Sequence, residues 1–300
     1  MLPDAPVSAG RGRLDFAALL QLLKPITWFP PMWAFACGAV SSGVSLLESP
    51  GLLITGIILA GPLLCGASQV VNDWFDRHVD AINEPTRPIP SGRVAGQLGL
   101  YFAIVWSLLA LAVSSALGPV VFWAALIGLV LAWAYSAPPL RLKQNGWWGN
   151  LACGVSYEGL AWVTGAAVML GGALPASEII WLAVLYSLGA HGIMTLNDFK
   201  GIAGDRALGI RTLPVQLGAQ RAALLACGVM ALPQLLVVAL LWSWDKPLYA
   251  AVVALLLVAQ VAAMAKLVKD PAKYAPWYNG VGVTLYVLGM LASAFAVRGL

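Results

Sequence analysis

Long apolar runs separated by short polar clusters dominate the sequence, and most runs approach the roughly 20 residues that a helix needs to cross a bilayer. They predict nine spanning helices, over 26–47, 52–75, 98–117, 120–135, 149–170, 179–198, 219–242, 248–266 and 277–297. A shorter apolar stretch at 14–23 follows Arg11 and Arg13 and stops at Pro25. It predicts a helix lying along the membrane surface. The expected fold class is all-α and polytopic, with an N-terminal segment over 1–25 and a nine-helix domain over 26–300.

Composition strengthens this reading. Of the 300 residues, 60% are apolar and only 10% are charged, against about 25% charged in a soluble domain. The 31 glycines allow helices to approach closely in a membrane, and the 13 tryptophans suit its two interfaces. Residues 1–13 hold Pro3, Pro6, Gly10 and Gly12 and no apolar core, so no cleavable signal is expected there. Cys37, Cys65, Cys153 and Cys227 stand singly in apolar runs, which argues against a disulfide framework or a zinc site.

Nine spans sort the charges. Fifteen of the 17 Lys and Arg residues fall on the side of the N-terminus, leaving Lys246 and Arg298 on the other. Basic residues accumulate on the cytoplasmic side, so the N-terminus is expected in the cytoplasm. Most acids follow the same split: Asp73, Asp76, Asp80 and Glu84 come after the second span, and Asp198 and Asp205 after the sixth.

The first cluster reads Asn72-Asp73-Trp74-Phe75-Asp76-Arg77-His78-Val79-Asp80. At about 100° per residue, Asn72, Asp76 and Asp80 form one stripe of oxygen ligands, with Asp73 at its edge. A proline-stiffened loop with Arg87 and Arg93 follows. The second cluster runs Asn197-Asp198-Phe199-Lys200-Gly201-Ile202-Ala203-Gly204-Asp205-Arg206, then Arg211. Asp198 and Asp205 would share a helix face, although Gly201 and Gly204 could break that helix. Both clusters open with Asn-Asp-aromatic at the end of a span, as a degenerate internal repeat would.

Hard oxygen ligands without a Cys pair or paired histidines suit Mg²⁺, which binds through few carboxylates plus substrate phosphates. The neighbouring Arg and Lys side chains can clamp phosphate oxygens. Carboxylates, Mg²⁺ and cations together describe a diphosphate site. Its position at the membrane edge implies that the rest of the substrate is lipid-soluble.

These motifs, Asn72-Asp73-x-x-Asp76-x-x-x-Asp80 and Asp198…Asp205-x-x-x-Gly209, resemble those of the membrane-embedded aromatic prenyltransferases of the UbiA superfamily. Three longer stretches are similar to the chlorophyll and bacteriochlorophyll synthases within it: NDWFDRHVDAINEPTRPIPSGR from Asn72, YSAPPLRLKQNGWWGN from Tyr135, and NDFKGIAGDRALGIRTLPV from Asn197. KPITWFPPMWAFACG from Lys24 looks more like the bacteriochlorophyll branch. The resemblance implies nine helices around a central cavity with the two Asp motifs at its cytoplasmic mouth, in a bacterial inner membrane. It implies transfer of a geranylgeranyl or phytyl group from its diphosphate to the propionate carboxylate of bacteriochlorophyllide a. Asn72, Asp76, Asp198 and Asp205 would hold Mg²⁺, with Asp73 and Asp80 close by. Arg77, Lys143, Arg206 and Arg87 would grip the diphosphate, with Arg93 and Arg211 in the same basic loops. Relatives often carry a further polar group where this chain has Gly201 and Ala203, which implies a leaner second metal shell.

Four side chains keep two readings each. Tyr135 could face an allylic cation or anchor at the interface. Glu158, the one acid well inside a span, could meet the pigment's polar edge or hold the helix bundle. His191 could coordinate a chlorin metal or hydrogen-bond between helices. His78 could touch diphosphate or belong only to the loop. The expected partners are the prenyl diphosphate, the pigment acceptor, the lipid bilayer and pigment-complex assembly proteins, with no nucleic acid. Alternatives are another acceptor (chlorophyllide, a quinone precursor or haem), a transporter, or a non-catalytic pigment carrier. A transporter would place its charges near the midplane, whereas here they gather on one face.

Overall fold

The protein is described by a computed structural model over residues 15–95 and 97–299; Arg11 and Arg13 lie outside the described residues. The described residues are helical throughout, joined by short loops, with one isolated backbone bridge between Asn145 and Arg211. A short α1, Phe16–Leu23, precedes α2, Phe29–Ser41. Then come α3, Pro50–Asn83, α4, Leu98–Ala116, and α5, Pro119–Ser136. Next are α6, over 146–169, and α7, Ser177–Asn197. The chain closes with α8, Ala219–Ser243, α9, Pro247–Leu267, and α10, Pro271–Ala296. Pro50, Pro119, Pro247 and Pro271 sit in the first turn of their helices, where the missing N–H leaves no bond unmade.

Seven helices, α3 to α5 and α7 to α10, are long and apolar enough to cross a membrane, so the protein is a multi-pass membrane protein. The other two expected spans are also helical. However, α2 has only 13 residues, and α6 carries Asn150, Tyr157 and Glu158 between its apolar turns. The stretch expected at the membrane surface is α1. Asp15 caps it, accepting from the Ala18 N–H at 3.1 Å, and Lys24 ends it in the left-handed conformation at φ 46°. Ala18, Leu22 and Leu23 pack against Val70, Val71 and Ala103 of α3 and α4, while Phe16 and Leu20 stay exposed.

Water cannot drive helices together inside a bilayer, so close packing and interhelical hydrogen bonds must. Gly38 of α2 lies against the Trp162 carbonyl of α6, and Gly165 of α6 lies against the Phe35 carbonyl; any Cβ there would strike backbone. Trp162 donates from Nε1 to Ser41 Oγ at 3.1 Å and stacks on Tyr186 of α7 at 5.6 Å. Tyr286 of α10 donates to the Tyr186 carbonyl at 2.6 Å. Meanwhile Leu232, Leu235 and Leu236 of α8 and Leu255 and Val258 of α9 point outward, as lipid-facing side chains do.

Two helices are interrupted by π turns, at Leu59–Cys65 in α3 and Val155–Leu160 in α6. Pro62 has no N–H to give the preceding turn and crowds it, which accounts for the first. Both turns line the same cavity.

Candidate active site

That cavity has a volume of about 480 Å³ and is enclosed by α2, α3, α5, α6, α7 and α10. Its lining is mostly hydrocarbon, as ligand pockets of this size are. At the polar end Asn72 of α3, Asn197 of α7 and Tyr135 of α5 all line it. The two Asn-Asp repeats therefore meet at one mouth.

The four oxygen-bearing side chains of the first motif, one amide and three carboxylates, divide into two pairs, not one stripe. Asn72 donates to Asp76 Oδ2 at 3.2 Å, and Asp76 Oδ1 accepts from Arg141 at 3.1 Å and also from Lys143. On the adjacent face Asp73 accepts from Lys24 at 2.5 Å and from Arg87 at 3.5 Å, while Asp80 accepts from Arg87 at 2.9 Å. Helix geometry explains the division. Residues seven apart are offset by only about 20°, whereas those eight apart are offset by about 80°. Asp80 therefore aligns with Asp73 and not with Asn72.

The loop cations are organised by these acids. Arg87 also makes a two-pronged contact with Glu84, both bonds 2.8 Å. Burial opposes the Arg87 charge, but the hydrogen bonds and charges of Glu84, Asp73 and Asp80 outweigh it and raise its pKa. Lys143 shows the reverse balance: burial lowers its pKa from the usual lysine value, against the pull of Asp76. Its loop is pinned to the other half-site, because the Arg211 N–H donates to the Gln144 carbonyl and Gly146 donates to the Arg211 carbonyl, both at 2.9 Å.

In the second motif the helix does break. Asp198–Gly201 forms a 3₁₀ turn, followed by a short helix, Ile202–Ala207. Asp198 accepts from Asn150 of α6 at 3.3 Å, and Asp205 accepts from Thr212 at 3.3 Å. Asn197 accepts from Asn279 of α10 at 2.8 Å. Gly201 leaves room for the Asp205 carboxylate, which a Cβ there would meet at 3.2 Å.

Other expected residues stand apart. Arg77 lies over the Trp74 ring, 4.1 Å from its centroid, and donates to the Trp74 carbonyl at 2.7 Å. Arg93 reaches back to Gln21 of α1 at 2.6 Å. Arg206, Arg211 and His78 are exposed. Glu158 is buried and lines the cavity away from the motifs. His191 is buried on α7 with its ring 6.0 Å from that of Trp147.

The structure adds Lys24, Arg141, Asn150 and Thr212, which the sequence pattern did not single out as partners of the acids. It also shows Tyr157, whose hydroxyl accepts from Gln69 at 3.0 Å inside the cavity. In the sequence, Lys24 and Arg141 belong to the basic side and to two of the longer stretches that carry the resemblance, with nothing to pair them with particular acids. Asn150 and Tyr157 carry no local signal, since their partners Asp198 and Gln69 lie 48 and 88 residues away in sequence.

Among the described residues no three His, Cys, Asp or Glu side chains stand close enough to hold a metal unaided. The available donors are hard oxygens from Asn72, Asp76, Asp198 and Asp205, singly presented. That set fits Mg²⁺, whose shell is usually completed by water and substrate phosphate, and it fits no soft metal.

Residues 23–297 match the UbiA prenyltransferase family. The chain belongs to the UbiA prenyltransferase family. A relative from Cereibacter sphaeroides, the bacteriochlorophyll synthase 33 kDa chain, is 58% identical over 94% of this chain and 93% of its own. The chloroplastic chlorophyll synthase of Oryza sativa subsp. japonica is 42% identical over 92% of this chain and 76% of its own. A UbiA homolog from Archaeoglobus fulgidus, solved with GPP and Mg²⁺, shares the fold at a TM-score of 0.64 and 20% identity. The match covers 94% of this chain and all of that one. This UbiA prenyltransferase therefore has the all-helical membrane fold and the transferase activity that its sequence motifs imply.

Proposed function

We propose that the enzyme transfers a geranylgeranyl or phytyl group from its diphosphate to the propionate carboxylate of bacteriochlorophyllide a, using Mg²⁺. The observation that carries this is the meeting of Asn72 and Asn197, each beside its aspartate motif, at the polar end of one apolar cavity. The similarity to the Cereibacter bacteriochlorophyll synthase supports this acceptor over chlorophyllide.

Asn72, Asp76, Asp198 and Asp205 would hold Mg²⁺, with Asp73 and Asp80 keeping Lys24 and Arg87 in place beside them. Bound Mg²⁺ supplies Lewis-acid neutralisation of the leaving diphosphate. Lys143, Arg141 and Arg87 already stand at the carboxylates; Arg77 would have to leave the Trp74 ring, and Arg206 its exposed position, to join them. These cations stabilise the charge that grows on the diphosphate as the allylic C–O bond breaks. Tyr135 lines the cavity, and its ring would stabilise the allylic cation by presenting its face to it. The acceptor carboxylate is already an anion, so its oxygen attacks without a general base. The hydrocarbon lining keeps out water, which would otherwise trap the cation as an alcohol.

In this reading residues 26–300 form one domain of nine spans, and 1–25 form a cytoplasmic segment with α1 along the surface. The mouth faces the cytoplasm from the bacterial inner membrane. The deciding experiment incubates purified protein with bacteriochlorophyllide a and geranylgeranyl diphosphate, with Mg²⁺ and then with EDTA, and follows esterified pigment by chromatography. Ester formed only with Mg²⁺ is the expected result. Activity only on a quinone precursor or haem would replace the acceptor, and pigment retention without turnover would replace the enzyme by a carrier.

A further inference from the structure

The cavity has a second polar feature that the transfer chemistry does not use. Glu158 lies in the π turn of α6, lines the cavity and is only 6% exposed. Its Oε2 is buried with no hydrogen-bond partner among the described residues. Burying a carboxyl without a partner is costly in a membrane. Oε2 is enclosed by protein, no side-chain hydrogen bond reaches either oxygen among the described residues, and the carboxyl belongs to the cavity wall. The group therefore points to a ligand atom that completes it from the cavity side.

Its position narrows the ligand. Glu158 is eight residues along α6 from Asn150, the partner of Asp198, which places it about 12 Å deeper than the motif end. The adjacent Gly159 packs against Ser187 of α7, where a Cβ would overlap the Ser187 hydroxyl. That contact holds the π turn in place while Glu158 faces the cavity. Leu160, Ala161, Val283 and Val287 line the same space with hydrocarbon. A diphosphate belongs at the other end, among the cations. An isoprenoid tail has no polar atom to offer, so beside it the carboxyl would stay unpaired. The acceptor is the substrate with polar atoms remote from its reacting carboxylate.

We infer that Glu158 is a specificity residue that hydrogen-bonds a carbonyl or hydroxyl on the edge of the acceptor macrocycle remote from the carboxylate being esterified. This rests on the acceptor being a tetrapyrrole, as proposed above. It assigns the deep half of the cavity to the acceptor's far edge and leaves the tail to the remaining apolar walls.

The test compares wild type with Glu158→Gln and Glu158→Leu, using bacteriochlorophyllide a and an analogue lacking its peripheral ketones. The wild type should favour the natural acceptor in kcat/KM by about ten-fold, the worth of one buried hydrogen bond. Glu158→Leu should raise the acceptor KM by a similar factor, leave the KM for geranylgeranyl diphosphate unchanged, and no longer distinguish the two acceptors. Glu158→Gln, which keeps a donor and an acceptor, should retain most of the preference. Thermal unfolding of Glu158→Leu in detergent should be no easier than that of wild type, because no internal contact is lost. Three results would overturn the inference: an unchanged preference in Glu158→Leu, a raised KM for the diphosphate, or a clear loss of stability. Failure of the wild type to esterify any tetrapyrrole would instead overturn the acceptor reading, and this inference with it.

Discussion

Lys24, at the end of α1, donates from Nζ to Asp73 Oδ1 at 2.5 Å across 49 residues of sequence. The bond ties the N-terminal segment to the first aspartate motif. Asp73 is only 2% exposed, so its charge is tolerated because Lys24 and, at 3.5 Å, Arg87 stand against it. Replacing Lys24 by Met would leave the carboxylate short of its nearest donor. We expect Lys24→Met to lose about 2 kcal/mol of stability, the usual worth of a hydrogen bond to a charged group. Adding Asp73→Asn should recover much of that loss. Equal unfolding temperatures for wild type and the single variant would show that the pair does not stabilise the fold.

Asp76 is the meeting point of Asn72, Arg141 and Lys143. Asp76→Asn keeps its shape and removes its charge, so the protein should still fold and enter the membrane. Turnover should fall by at least about 100-fold, the scale on which preorganised electrostatic groups act. Raising Mg²⁺ should restore little of it. Wild-type turnover in this variant would remove Asp76 from the metal and diphosphate site.

Asn150 is a partner of the second motif that only the structure reveals. It donates to Asp198 at 3.3 Å and to Thr195 at 3.2 Å. Asn150→Ala should raise the Mg²⁺ concentration needed for half-maximal activity by about ten-fold, by loosening the aspartate. The KM for the pigment should stay the same. An unchanged Mg²⁺ requirement would leave Asn150 as a helix-packing residue alone.

Sidedness can be checked with single cysteines in a cysteine-free background. Ala207 and Ser243 are exposed, and the proposed topology puts them on opposite faces. An impermeant maleimide should label Ala207→Cys only in inside-out vesicles and Ser243→Cys only in right-side-out preparations. The reverse pattern would turn the mouth of the cavity away from the cytoplasm.

Much of this was legible in the sequence because a bilayer imposes a simple rule. A chain segment in hydrocarbon must satisfy its own backbone, so it must be helical and apolar over a fixed length. That rule is local, and the seven long helices lie where the apolar runs predict. It was less decisive for α2 and α6. One is short, and the other carries the polar side chains that face the cavity. The acidic motifs were also local, being clusters of acids at span ends, and the resemblance they carry led to the family.

What stayed hidden required distance. The 3.6-residue period aligns Asp73 with Asp80, but only folding brings Lys24 and Arg87 against them. Nor does any nearby residue announce that Asn150 will meet Asp198, or that the loop of Lys143 will be hydrogen-bonded to Arg211. By itself the sequence determined an all-helical membrane protein with two acidic motifs, because hydropathy and spacing act within one helix. Tertiary structure alone decided which cation neutralises which carboxylate, and that Glu158 faces the cavity with its Oε2 unpaired. Those outcomes depend on how separate helices pack, which no local pattern encodes.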